Sequence, residues 1–482
     1  MAEVVVIGAG VGGLACAARL AAAGHRVTVL ERSTVVGGKL GRRVVERPEG
    51  TYRFDTGPSL LTLPQVFDEL FGDLGAPPPD LVPLDPLVRH VFADGTVLDS
   101  CADPGEFADR IGAALGATAA ADWRRLWRRA GRVWDASWRD ILRRPVDSPA
   151  ALAGLAWRLG DLAAVAPGQT LRGLGRRTLG DPRLRMLLDR YATYTGADPR
   201  RAPAALAAVP YAELSFGGWY VPGGLGTLAD ALLERCAALG VTVRTEAAVS
   251  GVVVAGGRVT GVRLGSSFVP ADVVVSNVDA ATLYRDLLPT PRRLTRLADR
   301  SLAGFVLLLG VAGATPGLAH HTVFFPADYD AEFDAVFGGR PATDPTVFVT
   351  VADDLTVRPA GHEAWFVLVN APRHGVGSGA VDWSRPGLAS AYADHVLSVL
   401  AARGVDVRDR VLFREVLTPA TLEQTTGAPG GAIYGTAGGL LRPANRGPVD
   451  GLFLVGGSTH PGGGLPMVTL SARIVANQIG PA

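Results

Sequence analysis

Three glycines near the start of the chain, Gly8, Gly10 and Gly13, hold the G-x-G-x-x-G spacing in GAGVGG. Each position makes its own demand on the backbone. The first permits a tight turn, the second lets the main chain approach a pyrophosphate, and the third allows a helix to close on a sheet. Glu31 follows Gly13 by 18 residues, near the spacing at which a carboxylate accepts hydrogen bonds from ribose hydroxyls. The chemistry implied is capture of a dinucleotide, with free N–H groups and the positive end of a helix for the phosphates and an acid for the sugar. The setting strengthens the motif. Val4–Ile7 is a short apolar strand, Leu14–Ala23 a helix and Arg26–Glu31 a second strand, one βαβ unit in about thirty residues.

The far end of the chain repeats the logic as strand, glycine loop and helix, over Leu452–Val455, Gly456–Gly464 and Thr469–Gln478. Glycines there let the chain pass close to a flat ligand. A helix beginning near Met467 aims its positive end at that ligand. A reduced flavin carries negative charge at its pyrimidine end, which a helix N-terminus stabilises. A glycine pair, Gly37–Gly38, lies just beyond Glu31 and brings backbone to the cofactor again, while no second G-x-G-x-x-G signals a nicotinamide domain. FAD is the expected cofactor.

The elements that must position these motifs come from an ordinary globular composition. The chain has 482 residues, 48% hydrophobic and 19% charged, enough for two or three domains. A net charge of +1 argues against a nucleic-acid partner held by bulk electrostatics. Nearly all basic residues are arginine; Lys39 is the only lysine. Cys16, Cys101 and Cys236 are scattered, with neither metal spacing nor a disulfide framework, so a reducing, cytoplasmic compartment and no metal are expected. The N-terminal apolar run contains the fingerprint itself and does not read as a signal peptide. The uncharged stretch from Ser301 to Ala319 is broken by Gly304, Gly310, Gly313 and Pro316, which predicts a buried strand around Phe305–Val311 rather than a spanning helix. Proline clusters at Pro77–Pro79 and Pro83–Pro86 precede a helical region from Gly105 to Ala207, interrupted near Pro145–Pro149 and Pro167. A helix at Leu225–Leu239, strands at Val241–Thr245 and Asp272–Ser276, and a hairpin over Gly251–Leu264 follow, with further strands at Val347–Val351 and Trp365–Val369.

Several segments resemble the bacterial carotenoid desaturases, the phytoene desaturase family, over nearly the whole chain. They are FDTGPSLLT (Phe54–Thr62), WYVPGGLGTLADAL (Trp219–Leu232), ADVVVSNVDAATLYRDLLP (Ala271–Pro289), LAHHTVFF (Leu318–Phe325) and, most specific, LVGGSTHPGGGLP (Leu454–Pro466). The resemblance implies FAD contacts at Gly8, Gly10, Gly12, Gly13, Glu31, Arg32, Gly38, Lys39, Val249, Gly457, Met467 and Val468. It implies a desaturation in which FAD accepts a hydride from a long apolar polyene, with oxygen or a membrane quinone as electron acceptor. Met467 stands where relatives carry a smaller residue. RYATYTGADPRRAPAAL (Arg190–Leu206) is more similar to the hydroxycarotenoid 3,4-desaturase branch, so both branches stay open. The expected fold is α/β with an α+β substrate domain. A Rossmann-type FAD domain is assembled from 1–75, 218–298 and 445–482; a mixed-sheet substrate domain spans 76–104 and 299–444; a helical cap spans 105–217.

Trp123, Trp127, Trp134 and Trp138 fall within about a 60° arc of a helix, with Arg124, Arg125, Arg128, Arg132, Arg139 and Arg143 opposite. Tryptophan and arginine together suit a membrane interface, so peripheral contact with the inner face of the membrane is expected; a cap helix with its tryptophans on the core is the competing reading. WRDILRR (Trp138–Arg144) is similar to the family segment holding an acid and an arginine three apart, here Asp140 and Arg143, proposed for acid–base work; a surface ion pair is the alternative. His460, in the THP stretch, supports the loop or handles a proton. His320 and His321 face opposite sides of a strand and cannot readily share a metal. Tyr191 and Tyr194 line a tunnel or pack in the core. Two other functions remain in view. An amine-oxidase-like flavoenzyme is disfavoured because the one lysine lies in the cofactor stretch. A flavin-free isoprenoid carrier is disfavoured because the phosphate-binding glycines are retained.

Overall fold

A computed structural model describes residues 1–146, 159–288, 297–437 and 442–482. Pro149, within the expected proline break, and Pro289, at the end of the segment from Ala271, lie outside these residues. The dinucleotide sheet has five strands, all parallel, in the order Leu452–Leu454, Val273–Ser276, Glu3–Ile7, Arg26–Leu30 and Thr242–Arg244. Its central strands are continuous apolar runs because both faces are covered, one by helices and the other by an antiparallel sheet of Gly251–Ala255, Arg258–Leu264 and Ser267–Pro270. Val4, Val5 and Val6 are all buried, as are Val274 and Val275. Three separated stretches of chain therefore meet in one sheet. The fingerprint helix, Val11–Ala22, packs on the helices Gly226–Ala238 and Leu465–Ile479. Its small buried residues, including Gly12, Gly13, Ala15 and Ala18, permit that close approach.

A second sheet of seven strands is mixed. It runs Val411–Leu417, Ala303–Ala312, His362–Ala371, Val347–Val351, His321–Phe324, Val88–Val91 and Val97–Ser100. All its pairs are antiparallel except Val88–Val91 with His321–Phe324. Ala303–Ala312 is paired on both sides and buried over nearly its whole length, the strand expected from the glycine-broken apolar run. One face, with Phe305, Leu307 and Leu309, packs on the helix Leu388–Ala402. The other face turns Gly304 and Val306 toward a cavity. No helix among the described residues is long and apolar enough to cross a membrane.

A helical layer, including Pro104–Leu115, Ala117–Ser137, Leu171–Thr178, Pro182–Thr193 and Ala208–Phe216, shares a core with the edge of the mixed sheet at Val88, Leu98 and Val323. Three of these helix starts are set by side-chain caps. Asp103, Thr170 and Asp181 accept from the N–H groups of Glu106, Gly173 and Arg183, as N-cap residues of these types do. The tryptophan arc forms the helix Ala117–Ser137 and turns inward. Trp123 is 1% exposed and meets Phe107 edge-on, Trp127 lies on Tyr211, and Trp134 lies on Phe216. The stripe is core, which corrects the expectation that it meets lipid. Periodicity fixes which residues share a face, and here the neighbouring helix Ala208–Phe216 covers that face.

Candidate functional site

The fingerprint turn is built by backbone contacts that admit no side chain. Gly8 has φ +96°. A Cβ on Gly13 would lie 2.2 Å from the Gly8 carbonyl oxygen, and one on Gly10 would meet the Asn277 amide at 2.7 Å. Gly37 donates its N–H to the Ala9 carbonyl at 2.8 Å, and a Cβ on Gly38 would lie 3.2 Å from Gly10 Cα. The two glycine clusters thus form one cradle. The helix Val11–Ala22 has Gly10 at its N-cap and no side-chain cap, and Gly10, Val11 and Gly12 line the cavity. Its first N–H groups are left for an anion. Glu31 accepts from the N–H groups of Ala9 at 2.7 Å and Ser33 at 2.9 Å, locking the turn to the end of the second strand. An ionised carboxylate has about four acceptor positions, so capacity remains for ribose hydroxyls. The cradle fits a dinucleotide.

The cavity beyond the cradle has a volume of about 2040 Å³ and a mostly apolar wall. Gly8, Gly10, Gly12, Glu31, Arg32, Gly38, Lys39, Val249, Gly457, Met467 and Val468 all line it. Gly13 sits behind them as the contact between helix and turn. Arg32 donates to the Gln424 carbonyl at 2.8 Å. Met467 and Val468 are in the first turn of the helix Leu465–Ile479, which starts two residues earlier than expected. Pro466 at its start fixes a helical φ without needing a donor. Across the cavity, Val306, Phe348, Phe366 and Leu368 present the mixed sheet.

Lys39 is half-buried and donates to the carbonyls of Ala432 and Ile433 at 2.9 and 2.6 Å. Burial pulls its ammonium down to about 8, against the opposing pull of Asp279. Asp279 and Arg300 form a buried ion pair at 2.6 Å. Burial pushes the Asp279 carboxyl up, but Arg300 and Lys39 outweigh it and hold the group below its ordinary value. Arg442, pulled down to about 10 by burial, donates to the Thr436 carbonyl. Asn277 and Asp279 lie within the quoted segment Ala271–Pro289, yet nothing in their type marked them. Arg300 and Arg442 carry no signal in a chain so rich in arginine.

The expected acid–base pair is not assembled as a pair. Arg143 donates to Glu69 at 3.0 Å and lies over the Trp138 ring, whereas Asp140 accepts from Arg139 at 2.7 and 2.9 Å. The cause is a π-helical turn over Trp138–Leu142, which shifts the register that would put i and i+3 on one face. Ile141 and Leu142 line the cavity instead. His460 is 2% exposed, and its Nε2 lies 3.0 and 2.9 Å from the carbonyls of Ile141 and Arg144. It therefore fastens the C-terminal loop to the cap. His320 precedes the strand His321–Phe324, so strand alternation does not separate the two histidines, and their rings meet at 4.6 Å. Burial pulls both imidazoles well down, and no group of three metal-ligating side chains occurs among the described residues. Tyr194 lines the cavity, whereas Tyr191 is core.

Comparison with known proteins identifies the family. Residues 11–312 match the family of flavin containing amine oxidoreductases. The chain is 34% identical to hydroxyneurosporene desaturase of Rhodobacter capsulatus over 99% of this chain and 97% of the relative. It is 33% identical to 4,4'-diapolycopene oxygenase of Methylomonas sp over 99% and 98%. Among solved structures, an oxidoreductase from Methanosarcina mazei shares the fold, with a TM-score of 0.66, 17% identity, and coverage of 98% of this chain and 100% of that one. The protein is an FAD-dependent oxidoreductase, and the chain belongs to the flavin-containing amine oxidoreductase family, on its carotenoid desaturase branch.

Proposed function

We propose that this protein introduces carbon–carbon double bonds into a long polyene of the carotenoid type. The observation that carries the reading is the single cavity of about 2040 Å³ joining the dinucleotide cradle to the apolar wall of the mixed sheet. A pocket for one small ligand spans roughly 300–1,000 Å³, so this one suits a dinucleotide and a long second ligand together. Bound there, FAD would supply a hydride acceptor for one substrate carbon as its neighbour loses a proton, with oxygen or a quinone as the acceptor of the two electrons. Gly8, Gly10, Gly12, Gly13, Glu31, Arg32, Gly38, Lys39, Val249, Gly457, Met467 and Val468 would hold the cofactor. A hydrocarbon offers no polar handle, so Val306, Phe348, Phe366 and Leu368 orient it by shape and keep water out. His460 acts as a positioning residue between loop and cap. No proton step is placed on Asp140 and Arg143, because each is committed to another partner.

The three sheet-forming stretches constitute the FAD domain, the seven-stranded sheet the substrate domain and residues 105–217 the cap. A polyene substrate is insoluble and would be drawn from a bilayer, which supports reading the protein as peripheral on a membrane, in our proposal on its cytoplasmic face. Arg124, Arg125, Arg128 and Arg132 are exposed on the cap helix and suit anionic headgroups. An amine-oxidase-like reading is weakened because the Lys39 ammonium is engaged by two carbonyls.

The test is anaerobic flavin absorbance of the FAD-loaded protein mixed with liposomes carrying phytoene, neurosporene or a hydroxylated carotenoid. Bleaching by one of them, with a product lacking two hydrogens, supports desaturation. A product that gains oxygen points to the oxygenase chemistry named for one relative. No bleaching by any polyene, while a chemical reductant bleaches the flavin, removes the proposal.

A further inference from the structure

Three parallel strands end side by side at the cradle. Glu3–Ile7 runs into the fingerprint turn, Leu452–Leu454 runs into the C-terminal glycine loop, and Val273–Ser276 lies between them. Ligands of such sheets bind outside the carboxyl ends of the strands. Asn277 is the first residue after the middle strand. Its N–H donates to the Ile7 carbonyl at 2.8 Å, which holds it at the end of the sheet. Its side chain lines the cavity and stands between the two glycine loops.

The two ends of the side-chain amide face different groups. One end lies 3.2 Å from the Gly10 nitrogen and 3.3 Å from the Gly13 nitrogen, and both of these are donors. An NH2 there would face two donors for the sake of one long contact, 3.5 Å to the Gly8 carbonyl. A carbonyl oxygen accepts from both N–H groups, so the hydrogen bonding assigns Oδ1 to this end. The NH2 is then the outer end. A Cβ on Gly456 would meet that end at 2.6 Å and one on Gly12 at 3.0 Å. Gly12 and Gly456 both line the cavity, and Asn277 is half-buried rather than sealed behind them.

The Asn277 carbonyl thus takes the N–H groups of Gly10 and Gly13 away from an incoming anion. Its NH2 returns two donors further out, between the first turn of the fingerprint helix and the C-terminal loop. A pyrophosphate oxygen only accepts, so it suits an NH2 at that place. An aspartate has the same shape and would keep the bonds from Gly10 and Gly13, but it would turn a carboxylate oxygen toward the phosphates.

We propose that Asn277 is a cofactor-binding residue: its carbonyl clips the fingerprint turn through Gly10 and Gly13, and its NH2 donates to the pyrophosphate of the bound dinucleotide. The inference concerns the cofactor alone and stands whichever substrate the protein oxidises.

The experiment uses the full chain as wild type, Asn277→Asp and Asn277→Ala. Each is measured twice: by the melting temperature of the flavin-free protein, and by the FAD dissociation constant from quenching of flavin fluorescence. Without flavin, Asn277→Asp is expected to melt close to wild type and Asn277→Ala below both, since only alanine loses the two accepted bonds. Toward FAD the order of the variants inverts. Asn277→Ala binds about 10- to 100-fold more weakly than wild type, the loss of one hydrogen bond to a charged group. Asn277→Asp binds more weakly still, by about 100-fold or more, because like charges are juxtaposed. A clip that never touches the ligand would give the same order in both measurements. FAD binding by Asn277→Asp within about threefold of wild type, or tighter than by Asn277→Ala, overturns the proposal. Should Asn277→Asp fail to fold, phosphorus NMR of FAD-saturated Asn277→Ala decides. Pyrophosphate resonances displaced from their wild-type positions support the contact, and unmoved resonances overturn it.

Discussion

In the dinucleotide cradle the chain meets its ligand with backbone; in the cap wall it meets the cavity with charged and aromatic side chains. The cradle depends on what is missing. Gly8, Gly10, Gly13, Gly37 and Gly38 work because a Cβ would strike a neighbour or strain the turn. The cap wall depends on what is present: buried charged and half-buried phenolic side chains, in Arg190, Glu213 and Tyr194, that bond one another. Absence of a side chain has one local meaning, whereas a buried arginine acquires its meaning from helices distant in sequence. The cradle therefore tolerates almost no substitution and is generic for a dinucleotide, while the wall is open to change.

The largest expected effect tests the cradle. In Gly13→Ala the new Cβ would lie 2.2 Å from a backbone oxygen that cannot rotate away, so the fingerprint helix must shift off the sheet. The variant is expected to purify with less than about a tenth of the wild-type flavin per protein, read from the visible absorbance, and to lose about 1–3 kcal/mol of stability from overpacking. Full flavin content in Gly13→Ala would show that the cradle is deformable and would erase the contrast with the cap.

The second test moves to the buried charges below the flavin loop. Arg300→Met leaves Asp279 without its ion-pair partner in a buried setting, which costs about 3–5 kcal/mol. The sign with pH follows from the carboxyl being held low in the native protein. Such a group stabilises the fold above its unfolded value, and that contribution is lost as pH falls through the native one. The deficit of Arg300→Met should therefore be greatest at neutral pH and shrink as pH falls into the ordinary carboxyl range, where Asp279 takes up a proton. Denaturant melts at several pH values measure it. A deficit independent of pH would mean that packing by the arginine stem, rather than its charge, is what matters.

The contrast also explains which parts were legible in the sequence. The βαβ unit, the strand Ala303–Ala312 and the C-terminal strand–loop–helix were readable because their patterns are short-range: a period of two or 3.6, or a glycine where a turn demands one. Of the residues that the family resemblance implies for the cofactor, the fingerprint glycines were also readable from their own spacing, whereas Val249, Met467 and Val468 rested on the resemblance alone. The tryptophan helix was readable as a helix with one aromatic face, but its covering partner, the helix Ala208–Phe216, lies about seventy to ninety residues away and leaves no mark in the spacing. The i, i+3 reading of Asp140 and Arg143 failed because a π-turn inserts one residue into the register, and no residue type announces such a turn. Asn277, Asp279, Arg300 and Glu213 were silent because each is one of many polar residues, and only the fold decides which are buried beside the cofactor loop or the cavity.

His460→Ala probes the junction between cradle and cap. The imidazole bridges the C-terminal loop to the carbonyls of Ile141 and Arg144. Its removal is expected to cost about 1–3 kcal/mol, with flavin retained and turnover slowed several-fold, since the cap is no longer fastened at that end. His460→Asn, which keeps a donor, should recover part of the rate. If both variants lost all activity while keeping stability and flavin, His460 would have to be moved from positioning to chemistry.

The smallest expected effect is the most informative about the cap. Arg143 is 39% exposed at its side chain, and its partner Glu69 also pairs with Arg473. Removing Arg143 strands no buried charge, because Glu69 retains a second arginine. An exposed pair of this kind contributes about 0–1 kcal/mol, and the contact with the Trp138 ring adds about 0.5–1 kcal/mol. Arg143→Ala is therefore expected to lower stability by less than about 2 kcal/mol and to leave flavin content and turnover within about twofold of wild type. A tenfold loss of turnover at unchanged flavin content would reinstate Arg143 in the acid–base chemistry that its spacing from Asp140 first suggested. It would also require the cap to rearrange on substrate entry, since Arg143 is bonded to Glu69, on a helix outside the cap, in the structure described here.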